Sequence, residues 1–136
     1  MSIVLDTSAT LAFILEDEQS PASIALFGSI SRLGASVPTL WPYEVANSLT
    51  YAMRRGRISM DARAAALMNL TKLAITIDSC DLDGIWFATV TLADLYQLTI
   101  YDAAYLELAQ RMRVPLVTFD DALARACKAS GVPLIL

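Results

Sequence analysis

Two patterns of apolar residues alternate along this chain. Short apolar blocks read as strands buried in a sheet. Longer segments, apolar at every third or fourth position, read as helices laid on it. Ile3, Val4 and Leu5 form the first block, which ends at Asp6-Thr7-Ser8. Thr7 or Ser8 is placed to cap a helix over 9 to about 16, and Glu16, Asp17 and Glu18 close it in an acidic loop. Ser20-Pro21 is a helix start, a cap followed by proline at the first helical position, and Gly34 stops that helix after about residue 32. A weak strand over 35–37 follows. The spacing then predicts helices over 41–55 (closed by Gly56) and 60–74 (capped by Ser59), a strand over 75–77 ending at Asp78, and a mostly helical stretch over 82–97. Residues 98–123 read as a helix opened by Asp102, a strand over 115–119, and a new helix beginning at Asp120. That last helix ends at Ser130-Gly131, before a short strand over 133–136. Strands separated by helices predict parallel pairing. The expected architecture is α/β, a central parallel sheet of about five strands with helices on both faces.

The chain has 136 residues, enough for one domain with a real core. Its 56% hydrophobic content exceeds the roughly 45–50% of ordinary domains. A sheet buried on both faces accounts for the excess, and so does a surface covered by a partner. No apolar run approaches the roughly 18 residues that cross a bilayer. The opening MSIVLDTS has no basic region, unlike a secretory leader. Two cysteines make neither a disulfide framework nor a metal cluster, and they fit a reducing cytoplasm. Histidine is absent, which excludes His-based triads and the usual zinc and copper sites. The net charge of −4 shows no global basic footprint for nucleic acid.

Carboxylates change that picture. In a parallel sheet the strand ends and the helix starts after them share one edge, where ligands bind. Asp6 and Asp120 end strands, and Asp102 starts a helix that runs into a strand. Glu44 heads a polar stripe with Asn47, Ser48 and Tyr51, opposite Val45, Leu49, Ala52 and Met53. Singly, these acids read as caps, first-turn charges or solvated residues. Together they would repel one another without counter-charge, and no Lys or Arg stands beside any of them in the sequence. Oxygen-only ligands select hard divalent ions, Mg2+ or Mn2+, and two such ions would bring the formal charge of −4 to zero. Metal-assisted phosphodiester hydrolysis suits such a site and needs no His or Ser nucleophile.

Other features carry less. Asp78 lacks the acidic pair and terminal lysine of a receiver domain, and Thr7-Ser8 after Asp6 breaks the Asp-x-Asp of haloacid-dehalogenase-type phosphatases. No phosphate-cradling glycine motif occurs. Arg54, Arg55 and Arg57 form one basic cluster, either a cationic helix end or a contact for RNA phosphates; Arg55 falls about 16 Å along the helix from Glu44. Trp41, Trp86, Tyr43 and Tyr51 read as core or interface aromatics, or as stacking platforms for bases.

The segments LDTSA with Asp6, PYEVANSL with Glu44 and Asn47, IYDAAYLELA with Asp102, and PLVTFDDALARA with Thr118 and Asp120 occur in this order. So arranged, the chain resembles a PIN domain, and specifically the VapC-type toxin ribonucleases of VapBC toxin–antitoxin pairs. The resemblance spans essentially the whole chain and implies a single three-layer α/β/α PIN-like domain over 1–136. It implies an Mg2+-dependent (or Mn2+-dependent) endoribonuclease, with Asp6, Glu44, Asp102 and Asp120 as the catalytic quartet. Asp6, Asp102 and Asp120 would be metal ligands, with Glu44 a further candidate. It also implies a homodimer and a cognate VapB-type antitoxin that lays a helix or extended tail over the active edge. Asp121 departs from the family, which more usually has a basic or polar residue there; the T-x-D pattern assigns the ligand to Asp120 and leaves Asp121 a first-turn charge. Ser8 and Thr118 bring hydroxyls to the same edge, to orient a ligand or water or to cap. The alternative is a catalytically inactive PIN-like module that meets partners through its apolar helices.

Overall fold

The computed structural model describes residues 2–135. Its strands are β1 (Ile3–Leu5), β2 (Ala35–Pro38), β3 (Ile75–Asp78) and β4 (Leu116–Val117). The helices are α1 (Thr7–Ile14), α2 (Pro21–Leu33), α3 (Trp41–Arg54), α4 (Met60–Thr71), α5 (Val90–Tyr96), α6 (Ile100–Met112) and α7 (Asp121–Ser130). The sheet order is β3-β2-β1-β4, and every pairing is parallel. Helices cover both faces, giving the expected three-layer arrangement. Ile3, Val4 and Leu5 lie fully buried at the centre, as an apolar run with no alternation requires of a strand covered on both sides. Val4 pairs with Ser36 on one side and Leu116 on the other. All four strands therefore point their carboxyl ends at the same edge.

The ladder is shorter than the sequence predicts. The expected fifth strand reduces to one parallel bridge, Leu116 to Leu134; Leu136 lies outside the described residues. Pro115 and Pro133 have no N–H to give, so they serve the ladder as acceptors alone: Val4 N–H donates to Pro115 O and Leu116 N–H to Pro133 O. Beyond Val117 the chain leaves the sheet because side chains claim its amides. Phe119 N–H donates to Ser8 Oγ at 2.9 Å and Asp120 N–H to Thr118 Oγ1 at 2.9 Å.

Helix starts also shift. Asp6, not Thr7 or Ser8, caps α1, accepting from Ala9 N–H at 2.8 Å. Thr99 caps α6 and accepts from Asp102 N–H at 3.1 Å, so Asp102 sits inside the first turn rather than opening the helix. Ser20 forms the expected cap, reciprocated by Ser23. The acidic loop is a 3-10 turn over Glu16–Glu18. Residues Gly84–Thr89 wind as π-helix ahead of α5, with Thr89 Oγ1 donating back to Gly84 O at 3.3 Å. Helix α4 stops at Thr71, short of residue 74, because Ala74 O is needed to accept Ala35 N–H at 2.9 Å as β3 docks. Gly34 makes that approach feasible: its φ is +73°, and a Cβ there would stand 3.1 Å from Ala74 O.

Helix α3 buries Val45, Leu49 and Ala52, leaving Glu44, Asn47, Ser48 and Tyr51 off the core. Trp41 anchors its start. The buried indole Nε1–H donates to Thr10 Oγ1 at 3.0 Å, and Thr10 Oγ1–H donates to Asp6 O at 2.8 Å. This relay ties α3 to α1 beside the end of β1. Among the described residues no helix is long and apolar enough to cross a membrane.

Thr10→Val keeps the side-chain shape but leaves the buried indole N–H without an acceptor. It should lower unfolding stability in urea by about 1–3 kcal/mol; an unchanged midpoint would show that the relay contributes nothing.

Candidate active site at the carboxyl edge of the sheet

Asp6 follows β1 and is 3% exposed. Its Oδ1 accepts from Ala9 N–H and from Ser8 Oγ–H, each at 2.8 Å. Its Oδ2 is 2.9 Å from the same Ser8 hydroxyl and accepts a short bond from Thr118 Oγ1–H. Burial pushes the Asp6 carboxyl above its ordinary range, although these donors oppose the shift. Thr118 and Ser8 come from the far ends of the chain and meet with their hydroxyls 3.3 Å apart. They stitch the end of β4 to the start of α1. Asp120 caps α7, its Oδ2 accepting Leu123 N–H at 2.9 Å.

Glu44 reaches the edge from the first turn of α3. Its Oε1 accepts Thr7 Oγ1–H at 3.0 Å and the Tyr105 hydroxyl at 2.6 Å. Burial and Glu44 raise the Tyr105 phenol well above its usual range, so it stays protonated and donates. Asp102 completes the group. Its pKa is pushed up to about 6, first by burial and then by the charges of Asp120, Asp6 and Glu44. Asp120, Asp6 and Glu44 thus each lie near enough to act on Asp102 through their charge.

Ser8 and Thr118 join this cluster directly. Asp121 does not: it is exposed in the first turn of α7, while Asp120 makes the cap. Asn47 is exposed on α3 one turn after Glu44. The basic cluster is smaller than the sequence suggests. Arg57 Nε and Nη2 each lie 2.8 Å from Asp17, and Nη2 lies 2.9 Å from Glu18. Arg57 is thus committed to the acidic 3-10 turn. Arg55 stacks over Tyr51 at 5.2 Å, and Arg54 is exposed. Trp41 is core, whereas Tyr43, Tyr51 and Trp86 are exposed. Sequence reasoning missed Thr7, Thr99 and Tyr105. The one signal for Tyr105 was its position three residues after Asp102, on the same helix face.

Whether these residues suit a metal ion is a question of charge and lone pairs. Among the described residues the ion pairs are Arg57 with Asp17 and Glu18, and Arg111 with Asp78 and Glu107. None reaches the four edge acids. The donor set is oxygen alone and its charge is uncompensated, which matches a hard divalent cation. No three such groups among the described residues already stand close enough to hold an ion. The donors around Asp6 occupy both its oxygens. The chemistry fits, but the cage is not closed, and its carboxylates would have to draw in around a cation.

Comparison with known proteins places this geometry in context. Residues 3–129 match the family described as PIN domain. The chain is 29% identical to ribonuclease VapC3 of Pyrobaculum aerophilum, over 98% of this chain and 100% of that protein. It is 33% identical to ribonuclease VapC9 of Mycobacterium tuberculosis, over 96% of this chain and 98% of that protein. Its fold is similar to the solved structure of VapBC2 from Rickettsia felis bound to a DNA fragment from their promoter, with a TM-score of 0.70 and 12% identity. That match covers 98% of this chain and 97% of the other.

The elevated Asp102 gives a pH dependence of defined sign. Its carboxyl titrates at about 6 when folded, against 3.8 as the unperturbed value. Between these values the folded state holds more protons, so this group's contribution to stability is full below the lower value and is lost as pH rises through about 6. Asp102 is only partly buried, and solvent screening limits the loss to about 1 kcal/mol. In EDTA, the melting temperature of Asp102→Asn minus that of the parent should grow between pH 4 and pH 7. A difference that stays flat would contradict the clustering.

Proposed function

The chain belongs to the PIN domain family, and from that premise we propose that it is a ribonuclease toxin of the VapC type. It hydrolyses RNA phosphodiester bonds at its acidic edge. The observation that carries this reading is the gathering of Asp6, Glu44, Asp102 and Asp120 without a cationic partner, felt by Asp102 as a pKa of about 6. A site without function gives no return for such repulsion, and this weighs against an inactive PIN-like module. Both curated relatives described above carry the name ribonuclease VapC, which supports the substrate class.

Asp6, Asp102 and Asp120 would hold Mg2+ or Mn2+, with Glu44 as a further ligand. Such an ion, when bound, lowers the pKa of a coordinated water and offsets charge on the leaving oxygen. The chain's own residues do the positioning. Ser8 and Thr118 orient Asp6 between the ends of β1 and β4. Thr118 also holds the Asp120 amide, fixing the acid at the head of α7. Asp121 serves as a helix-end charge. Arg54 and Arg55, farther along α3, meet the RNA backbone.

Residues 1–136 act as one PIN-like domain, in the cytoplasm, as a homodimer. The partner is an antitoxin of the VapB type, covering the acidic edge with a helix or extended tail. The VapBC2 neighbour, whose name couples VapB with VapC, motivates this partner. Exposed Ile24 and Phe27 on α2, and Tyr43 and Tyr51 on α3, supply apolar surface for the dimer contact.

Three measurements test the reading. A structured RNA should be cleaved in Mg2+ or Mn2+ and left intact in EDTA. Asp102→Asn should lose cleavage yet fold, while Asp121→Asn keeps most of its activity. Full activity of Asp102→Asn would refute the mechanism, and loss in Asp121→Asn with retention in Asp120→Asn would reverse the choice between the adjacent pair. Millimolar Mn2+ should raise the melting temperature of the parent by binding the folded state alone; an unmoved midpoint would count against a cation site. Light scattering at micromolar concentration should give the mass of a dimer, and a monomer would overturn that assignment.

A further inference from the structure

Tyr105 is 1% exposed on α6. Core packing accounts for its ring but not for its hydroxyl, since phenylalanine fills the same space. That hydroxyl donates to Glu44 Oε1 at 2.6 Å. Thr7 donates to the same oxygen at 3.0 Å, and the two hydroxyl oxygens stand 3.0 Å apart. Three helices, α1, α3 and α6, thus converge on one carboxylate oxygen. A carboxylate oxygen offers two lone-pair sites, and two donors take both. Among the described residues Glu44 Oε2 accepts no hydrogen bond.

We propose that Tyr105 is a positioning residue: with Thr7 it saturates one oxygen of Glu44 and leaves Oε2 as the atom that meets the cation or its water. Tyr105 touches neither RNA nor ion and acts through Glu44. A free glutamate side chain loses rotamer freedom when it ligates. Here that ordering is completed by folding, before any ion arrives. The same face of α6 carries Asp102 one turn earlier, so a single helix both contributes one acid of the edge and orients another. This inference rests on the proposed cation-dependent nuclease site and deepens it.

Tyr105→Phe removes the hydroxyl and keeps the ring. Calorimetry with metal-free protein should show Mn2+ affinity reduced roughly tenfold, the usual scale for losing the hydrogen-bond partner of a ligand. In cleavage, kcat should fall more than KM rises. In a Glu44→Ala background the same substitution should leave Mn2+ affinity unchanged, because nothing remains to be positioned. Thr7→Val, at the partly exposed start of α1, should weaken Mn2+ binding in the same direction and supplies the reading if Tyr105→Phe does not fold. Wild-type Mn2+ affinity and kcat in both variants would overturn the proposal and leave Tyr105 a core residue. So would an equal effect of Tyr105→Phe with and without Glu44. A parent protein that binds no Mn2+ would remove the underlying reading and this inference with it, an outcome seen in the parent and so distinct from failure confined to the variants.

Discussion

A charged carboxylate buried at the end of the central strand is the constraint from which this edge is built. Asp6 leaves β1 with almost no contact with water. An ionised group there is tolerated only if donors replace its hydration. The chain supplies them from three directions: its own helix α1 through the Ala9 amide, its neighbour Ser8, and Thr118 from the end of β4. Satisfying one carboxylate therefore fixes how α1 leaves the sheet and where β4 stops. Ser8 completes the knot by accepting the Phe119 amide, which turns the chain toward α7 and sets Asp120 in place.

The plain and the functional readings of these acids are the same arrangement seen at two scales. Asp6 and Asp120 are helix caps, and Asp102 lies in a first turn. Each capped helix end presents the positive end of its dipole to the edge, worth a fraction of a kcal/mol to about 2 kcal/mol for a favourably placed anion. In this way a cluster without lysine or arginine can persist in a folded chain. The compensation is partial, and the remainder shows at Asp102, which feels burial and three neighbouring charges at once.

Much of this was legible in the sequence. Unbroken apolar blocks between helical periods are enough to specify parallel strands covered on both faces, and parallel strands are enough to put Asp6 and Asp120 on one edge. The alternation on α3 placed Glu44 off the core. What periodicity cannot convey is which side chain will claim which amide. Asp6 caps α1 just ahead of the Thr7-Ser8 hydroxyls that the sequence suggested, because the aspartate both ends the strand and begins the helix. The fourth strand is cut to two residues by Ser8, which accepts the Phe119 amide from 111 positions away, and by Thr118, which accepts the amide of nearby Asp120. Tyr105 stands in an apolar helix face and reads as core, which its ring is; its hydroxyl finds Glu44 on another helix, 61 residues away in sequence. Arg57 reads as part of a basic cluster until its acidic partners, 39 and 40 residues upstream, are located.

The capture of Arg57 by Asp17 and Glu18 bears on ionic strength. Each phosphate neutralised by a basic side chain releases counterions, and log affinity for a single strand then falls with log salt by about 0.7 per contact. With Arg57 withdrawn, Arg54 and Arg55 remain of that cluster, giving a slope of roughly −1.4 from this face. A nuclease using this surface would hold RNA with little sensitivity to salt, drawing its attraction instead from the ions loaded at the acidic edge. Substrate affinity would then follow the concentration of divalent cation far more steeply than that of monovalent salt.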